Sequence, residues 1–369
     1  MRIISDAYER KGSLAQHFLL SAKARTLSVL EVARLSEEEA YARFKAIRFS
    51  ANDGEPYCPH CGCDAVYTYK VRREFKCKAC EKRFTVTSGT SFHGRKMSCR
   101  DILTAVVMFV NGVSGNAALR MSRDLGCSYK TAFVLHRKLA RAMGSMQREN
   151  VLSGEVDVDG LFIGGHVRPK NIIAERRADG RKEYNAKRRV IVTMRERRPG
   201  GRSRAIVVPS EKTAVPIIYA TVNPHSHVTT DEGSAFSRFH IQFGRHSTVN
   251  HSVGMLVDGV HNNPLESQHM RIRRGERGVY LGISGTHAQR FADEFYWRDD
   301  FRRLDNGQQF QILAGRALTL RRDFELQGYW QRRPDWARER NRRIALRALT
   351  RKRKGLPAAP IAYVGRARA

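Results

Sequence analysis

The sequence is short of acid and has no long apolar stretch, and each shortage removes a class of function. Asp plus Glu number 36 against 67 Lys plus Arg, a formal net charge of +31 over 369 residues, so a polyanion, and nucleic acid first of all, is the expected partner. No apolar run approaches the roughly 20 residues of a spanning helix, so no membrane partner is expected. The opening residues "MRIISDAYERKGSL" mix acids with bases and lack the apolar centre of a secretory signal, and a cytoplasmic protein is expected. There is no P-loop, dinucleotide glycine fingerprint or internal repeat.

Cysteine is missing beyond Cys127: all seven lie between Cys58 and Cys127. Thiols gathered in this way in a cytosolic chain point to metal more than to disulfides. Four of them, Cys58, Cys61, Cys77 and Cys80, follow the pattern C-x2-C, fifteen residues, C-x2-C. Each short turn aims two sulfurs at one point, and a structural zinc ion takes four such ligands in a tetrahedron. The expectation is a zinc ribbon over residues 57–97, with Cys63 as a spare thiol able to stand in for Cys61. Phe75 and Phe84 alternate with Arg72, Arg73, Lys76, Lys78, Lys82 and Arg83, so its hairpin is expected to be basic and to face DNA; a solvated basic hairpin is the simpler account.

Residues 1–56 read as a helical lead-in, with Ser36 and Glu39 in a capping-box pattern and Ala40, Phe44 and Ile47 on one face. Residues 98–150 read as helices punctuated by Gly112 and Gly126, the last starting from Ser128. Two short helices joined by "LGCS" have the form of a helix-turn-helix. Lys130, Arg137, Lys138 and Arg141 are then expected to meet DNA, while Ala132, Phe133, Leu135 and Leu139 supply the core side; any three-helix bundle has the same pattern.

From residue 151 to 310 the period changes to that of an α/β domain. "EVDVDGLFIGG", "RRVIVTMRE", "SRAIVVPS" and "HSHVTTDEG" read as strands, "KTAVPIIYATV" as helix or strand, and "NPLESQHMRIRRG" and "THAQRFADEFYWRDDFRR" as helices. A basic insert between the first two strands reads as an exposed loop, and residues 311–369 as a basic tail.

Within "EVDVDGLFIGG", Glu155, Asp157 and Asp159 share one face of a strand and Val156 and Val158 the other. A solvated acidic face is the plain account, but it leaves like charges uncompensated unless water or cations lie against them. Asp231 ends another expected strand, and Glu266 follows it after 34 residues in an expected helix. Two strand-end aspartates and a later helical glutamate are the pattern of the RNase H-like nucleotidyl-transfer fold. Acids so placed can hold two divalent cations roughly 3.5 to 4 Å apart for in-line phosphoryl transfer. Glu266 has a second account, since Asn263, Pro264 and Glu266 fit N-cap, N1 and N3 of a helix. Arg273 lies two turns on from Glu266 and is placed either to hold phosphate or to face solvent. Asp157 is the fallback for Asp159, Glu155 is expected to be solvated, and His261 and His269 flank the site.

The order of these parts resembles the bacterial insertion-sequence transposases of the DDE class that carry an N-terminal zinc ribbon, the ISXO-two-like group. The segments that carry the resemblance, "FKAIRFSANDGEPYCPHCG", "KCKACEKRFTVTSGTSFHGRK", "EVDVDGLFIGGHVRPKN", "TTDEGSAF", "HNNPLES" and "RFADEFYWR", span about residues 36 to 303. The resemblance implies an RNase H-like catalytic domain and strand cleavage and joining of double-stranded DNA. Two Mg²⁺ ions, replaceable by Mn²⁺, would serve it, with one structural Zn²⁺ besides. It also implies recognition of terminal inverted repeats, a homo-oligomer on DNA and a place in a bacterial nucleoid. By position it selects Asp159 and Asp231 as ligands. Either Asn263 or Glu266 is the third, the glutamate being preferred as the harder, charged donor. Gly160 stands where an acid usually follows the first Asp, "SQHM" replaces aromatic residues, and Arg273 replaces an expected Lys. The rivals are an inactive transposase-derived DNA-binding regulator and an RNase H-like nuclease that does not join strands.

Overall fold

The computed structural model describes residues 18–149, 151–164, 188–198, 200–249, 263–323 and 325–326. The first part of the lead-in, the basic insert after Gly164, His261 and most of the basic tail lie outside the described residues.

The N-terminal helices begin where their capping residues dictate. After a short α1 (Val29–Ala33), α2 (Glu37–Arg48) starts from Ser36. The Ser36 hydroxyl accepts the Glu39 N–H at 3.2 Å, and the Glu39 carboxylate accepts the Ser36 N–H at 2.8 Å, which satisfies two end donors at once. Ala40, Phe44 and Ile47 are buried on its inner face, as expected. A three-stranded antiparallel sheet follows, of β1 (Val66–Tyr69), β2 (Glu74–Cys77) and β3 (Arg83–Phe84). Phe75 lies opposite Phe84 in register, and both rings are buried.

Three more helices, α3 (Cys99–Asn111), α4 (Ala118–Asp124) and α5 (Tyr129–Gln147), pack with the ribbon into one apolar core. Ser98 and Asp101 cap α3 reciprocally, and Ser128 accepts the Thr131 N–H to start α5.

The second body is a five-stranded sheet. Its strands are β4 (Glu155–Ile163), β5 (Arg189–Glu196), β6 (Ser203–Val208), β7 (His227–Asp231) and β8 (Arg245–Val249), in the order β6-β5-β4-β7-β8. Neighbours are antiparallel from β6 to β4 and parallel from β4 to β8. The ambiguous "KTAVPIIYATV" is a helix, α6 (Glu211–Thr221), and with α7 (Phe239–Gln242) it covers one face over Val156, Val158 and Val192. The other face, with Leu161, Ile163 and Ile191, is covered by α8 (Asn263–Gly275) and α9 (Ala288–Asp300). β8, of sequence "RHSTV", has little apolar alternation and was not anticipated.

The last described helix, α10 (Asn306–Thr319), buries Phe310, Leu313, Ala314, Ala317 and Leu318 in the N-terminal core. The boundary expected at residue 310 therefore cuts through a core helix. Its apolar residues recur at helical spacing, and the neighbouring basic stretch obscured that pattern.

Candidate metal centres

The ribbon gathers its four thiols from two tight turns. Cys58 Sγ lies 3.6 Å from Cys80 Sγ, and Cys61 Sγ lies 3.6 Å from Cys77 Sγ. All four sulfurs are within 4.8 Å of one another. Zinc–sulfur bonds of about 2.3 Å in a tetrahedron set sulfurs about 3.8 Å apart, so the donor set fits a structural zinc ion. Cys63 is not one of the group and faces the Ala65 carbonyl at 3.8 Å, so the alternative to Cys61 falls away. The Cys80 N–H, helped by that of Ala79, draws the Cys77 thiol down to about 6, whereas burial pushes Cys58 up to about 12.

At the end of the large sheet the acids separate by environment. Asp157 is fully buried, and Arg197 donates to it through Nη2 at 2.5 Å and Nε at 3.2 Å. It is thus ion-paired within the sheet, a setting its local pattern could not reveal. Glu155 is exposed. Asp159 is partly exposed; its Oδ1 accepts the Gly160 N–H at 2.6 Å, and its Oδ2 lies 3.3 Å from His269 Nδ1.

The parallel register pairs Glu155 with His227, Val156 with Val228 and Asp157 with Thr229. The same offset, continued by two residues, aligns Asp159 with Asp231 at the end of β7. Asp231 accepts the Gly233 N–H at 3.1 Å, an Asx turn that turns the chain away from the sheet. Glu266 is half-buried and precedes His269 by three positions on α8, so both lie on one side of that helix. Arg273, two turns beyond Glu266, is exposed. Asn263 begins α8, and its side chain lies outside the described residues.

One acid at this end was not foreseen. Glu211, the first residue of α6, has its carboxyl pushed up by burial, then by the charges of Asp231 and Asp159. In the sequence it is an ordinary acid in the first turn of a helix, so no local signal sets it apart. Among the described residues, only the four thiols bring three or more ligand atoms within 4.8 Å of one another; the carboxylates stand wider apart.

The residues expected to enter a DNA groove from α5 do not share that fate. Ala132, Phe133, Leu135 and Leu139 form the core side, as expected. Arg137, however, is buried with its guanidinium over the rings of Phe133 and Phe291, at 4.9 and 4.1 Å from their centroids. Lys138 is partly buried and its ammonium disfavoured by that burial, and Arg141 donates to the Arg321 carbonyl at 2.6 Å. α9 packs along the side of α5 that was expected to be open. Of the four, Lys130 alone is exposed, at the start of the helix.

Comparisons with known proteins find matches over both regions of the chain. Residues 35–83 match the transposase zinc-ribbon domain, and residues 151–300 match the ISXO2-like transposase domain. The chain is also similar to an uncharacterized protein in transposable element ISH50 of Halobacterium salinarum. The identity is 22% over 282 residues, covering 71% of this chain and 91% of that protein. No solved structure matches it. One match falls on the four-thiol cluster and the other runs from β4 to the end of α9, so a region similar to the transposase zinc-ribbon domain is followed along the chain by one similar to the ISXO2-like transposase domain.

Proposed function

We propose that the protein is a DDE-type DNA transposase that binds the terminal inverted repeats of an insertion sequence and carries out Mg²⁺-dependent strand cleavage and strand transfer. The observation that carries this reading is the parallel pairing of β4 with β7, which aligns Asp159 with Asp231, together with the 3.3 Å approach of His269 on α8 to Asp159. α8 also carries Glu266, three residues before His269 and on the same side of the helix. An antiparallel β6-β5-β4 meander extended by parallel β7 and β8 supports an RNase H-like catalytic domain.

The residues present suit hard divalent cations, since the donors are carboxylate oxygens. The buried Nε2 of His269, which has no hydrogen-bond partner among the described residues, marks this corner as polar and incompletely satisfied. Asp159, Asp231 and Glu266 would hold the ions, with Asn263 as the other candidate at the third position. Bound there, two Mg²⁺ ions would activate the attacking oxygen and neutralise the leaving one. The protein's own part is orientation: the Gly160 and Gly233 N–H groups fix the two aspartates, and the Asp157–Arg197 pair fixes the strand beneath them. Arg273 is placed to meet a phosphate.

DNA contact is better assigned to the ribbon than to α5. Tyr67 and Tyr69 on β1 are 54% and 40% exposed, and Lys78 and Arg83 lie over their rings. A cationic hairpin with exposed aromatics suits a phosphate backbone. Synapsis of two element ends calls for at least two copies of the chain.

The test is an assay with a 3′-hydroxyl donor and a supercoiled target. Asp159→Asn is expected to lower Mg²⁺-dependent joining by about a hundred- to a thousandfold, equivalent to several kcal/mol of transition-state charge stabilisation, and to leave end binding unchanged. Joining retained at the wild-type rate overturns the assignment; nicking without joining by the wild type identifies a nuclease instead.

A further inference from the structure

Gly160 departs from the acid usually found after the first aspartate in the resembling family, and the space its missing side chain leaves is filled. A Cβ built on Gly160 would collide with Glu211 Oε1 and stand 3.1 Å from Glu211 Cδ. Gly160 is a strand residue whose backbone is not left-handed, so no backbone requirement selects glycine there. What glycine supplies is room for the Glu211 carboxylate to reach in from α6 beside β4.

We infer that Glu211 is a further carboxylate ligand of the divalent-cation site, delivered from α6 into the place of the acid missing at position 160. The inference rests on the reading of Asp159 and Asp231 as metal ligands given above. Two features of the geometry and one of the electrostatics support it. Glu211 comes from the opposite face of the sheet to Glu266, because α6 covers one face and α8 the other. Ligands arriving from both faces enclose the strand end, as a pair of ions sharing ligands requires. Glu211 is also electrostatically coupled to both Asp231 and Asp159. Finally, it is the first residue of its helix and no side chain caps that helix end, so a local cap is not what holds the carboxylate inward.

The experiment is Mn²⁺ binding to the full-length protein without DNA, followed by electron paramagnetic resonance, with zinc left in the ribbon. Glu211→Gln keeps the side-chain volume and is expected to weaken Mn²⁺ binding at least about tenfold. Gly160→Ala, with Glu211 intact, is expected to weaken it similarly by pushing the carboxylate out. The rescue is the double variant Gly160→Asp with Glu211→Ala, which returns an acid to the same space and is expected to bind more tightly than Glu211→Ala alone. Asp159→Asn serves as the reference. If Asp159→Asn loses Mn²⁺ while Glu211→Gln binds as wild type, the role of Glu211 is overturned and the aspartate site stands. If Asp159→Asn itself binds as wild type, the site and this inference fall together.

Discussion

The four-thiol ribbon and the acidic end of the large sheet, which we propose holds divalent cations, are built on opposite plans. The ribbon takes its ligands from two turns of one hairpin region, Cys58 to Cys80. Its sulfurs reach 3.6 Å because a thiol proton shared between two sulfurs, Cys58 with Cys80 and Cys61 with Cys77, offsets their repulsion. The sheet end takes its acids from β4, β7, α8 and, by inference, α6, and they stand wider apart. Two carboxylates 4 Å apart would repel by about 4 kcal/mol at an effective dielectric near 20. A thiol site can therefore close before its metal arrives, whereas a carboxylate site must be held open by its scaffold. The large sheet can do this because it has an apolar core on each face.

That contrast breaks most visibly on removal of zinc. Structural zinc contributes about 10–16 kcal/mol to folding a small zinc module, so a chelator is expected to expose the amides of residues 57–86 to hydrogen exchange. The strands β4 to β7 should keep their protection. Loss of protection in both regions together would mean that the sheet depends on the ribbon and that the contrast is wrong.

A smaller effect sharpens the division of labour within "EVDVD". Asp157→Ala removes the carboxylate that pairs with the largely buried Arg197 guanidinium, and is expected to cost about 3 kcal/mol in denaturant unfolding while Mn²⁺ binding by the folded protein is retained. A variant that unfolds like the wild type but no longer binds Mn²⁺ would return Asp157 to the ligand set and remove it from the scaffold.

The third expectation is a slope with pH. Asp300 on α9 is buried and its carboxyl is pushed up from 3.8 to about 7 by loss of water, although Ser203 on β6 donates to it through N–H and hydroxyl at 2.9 and 2.8 Å. Between about pH 4 and pH 7 the folded state then binds more protons than the unfolded chain, so this group lowers stability as pH rises through that window. Asp300→Asn is expected to remove that contribution, seen as a flatter dependence of Tm on pH than in the wild type. The ribbon responds in the opposite sense, because acid protonates the thiolates that zinc requires. Identical pH slopes for Asp300→Asn and the wild type would show that Asp300 does not titrate in this window.

Much of this was legible because it is local. C-x2-C turns, the Ser36–Glu39 and Ser98–Asp101 caps, and the alternation in β4 and β5 are each decided within a few residues by backbone geometry. Asp157 and Asp159 show why the remainder was not. They share the same strand face and the same valine neighbours, and differ only in what arrives from elsewhere: Arg197 at one, His269 at the other. Arg137 looked like a groove-facing cation until α9 covered it with Phe291. α10 looked like the start of a basic tail until it closed the N-terminal core.

By itself, then, the sequence determined the four-thiol cluster, the helix starts, the strands around the first aspartate and the strongly basic character of the chain. These depend on spacing, capping and net charge, which act over one or two turns or not through structure at all. The tertiary structure alone decided which acid of "EVDVDG" stays available, that Gly160 makes room for Glu211, and which cations of α5 are buried. Those outcomes depend on groups that approach through space from distant parts of the chain, and burial and charge pairing are set by that approach.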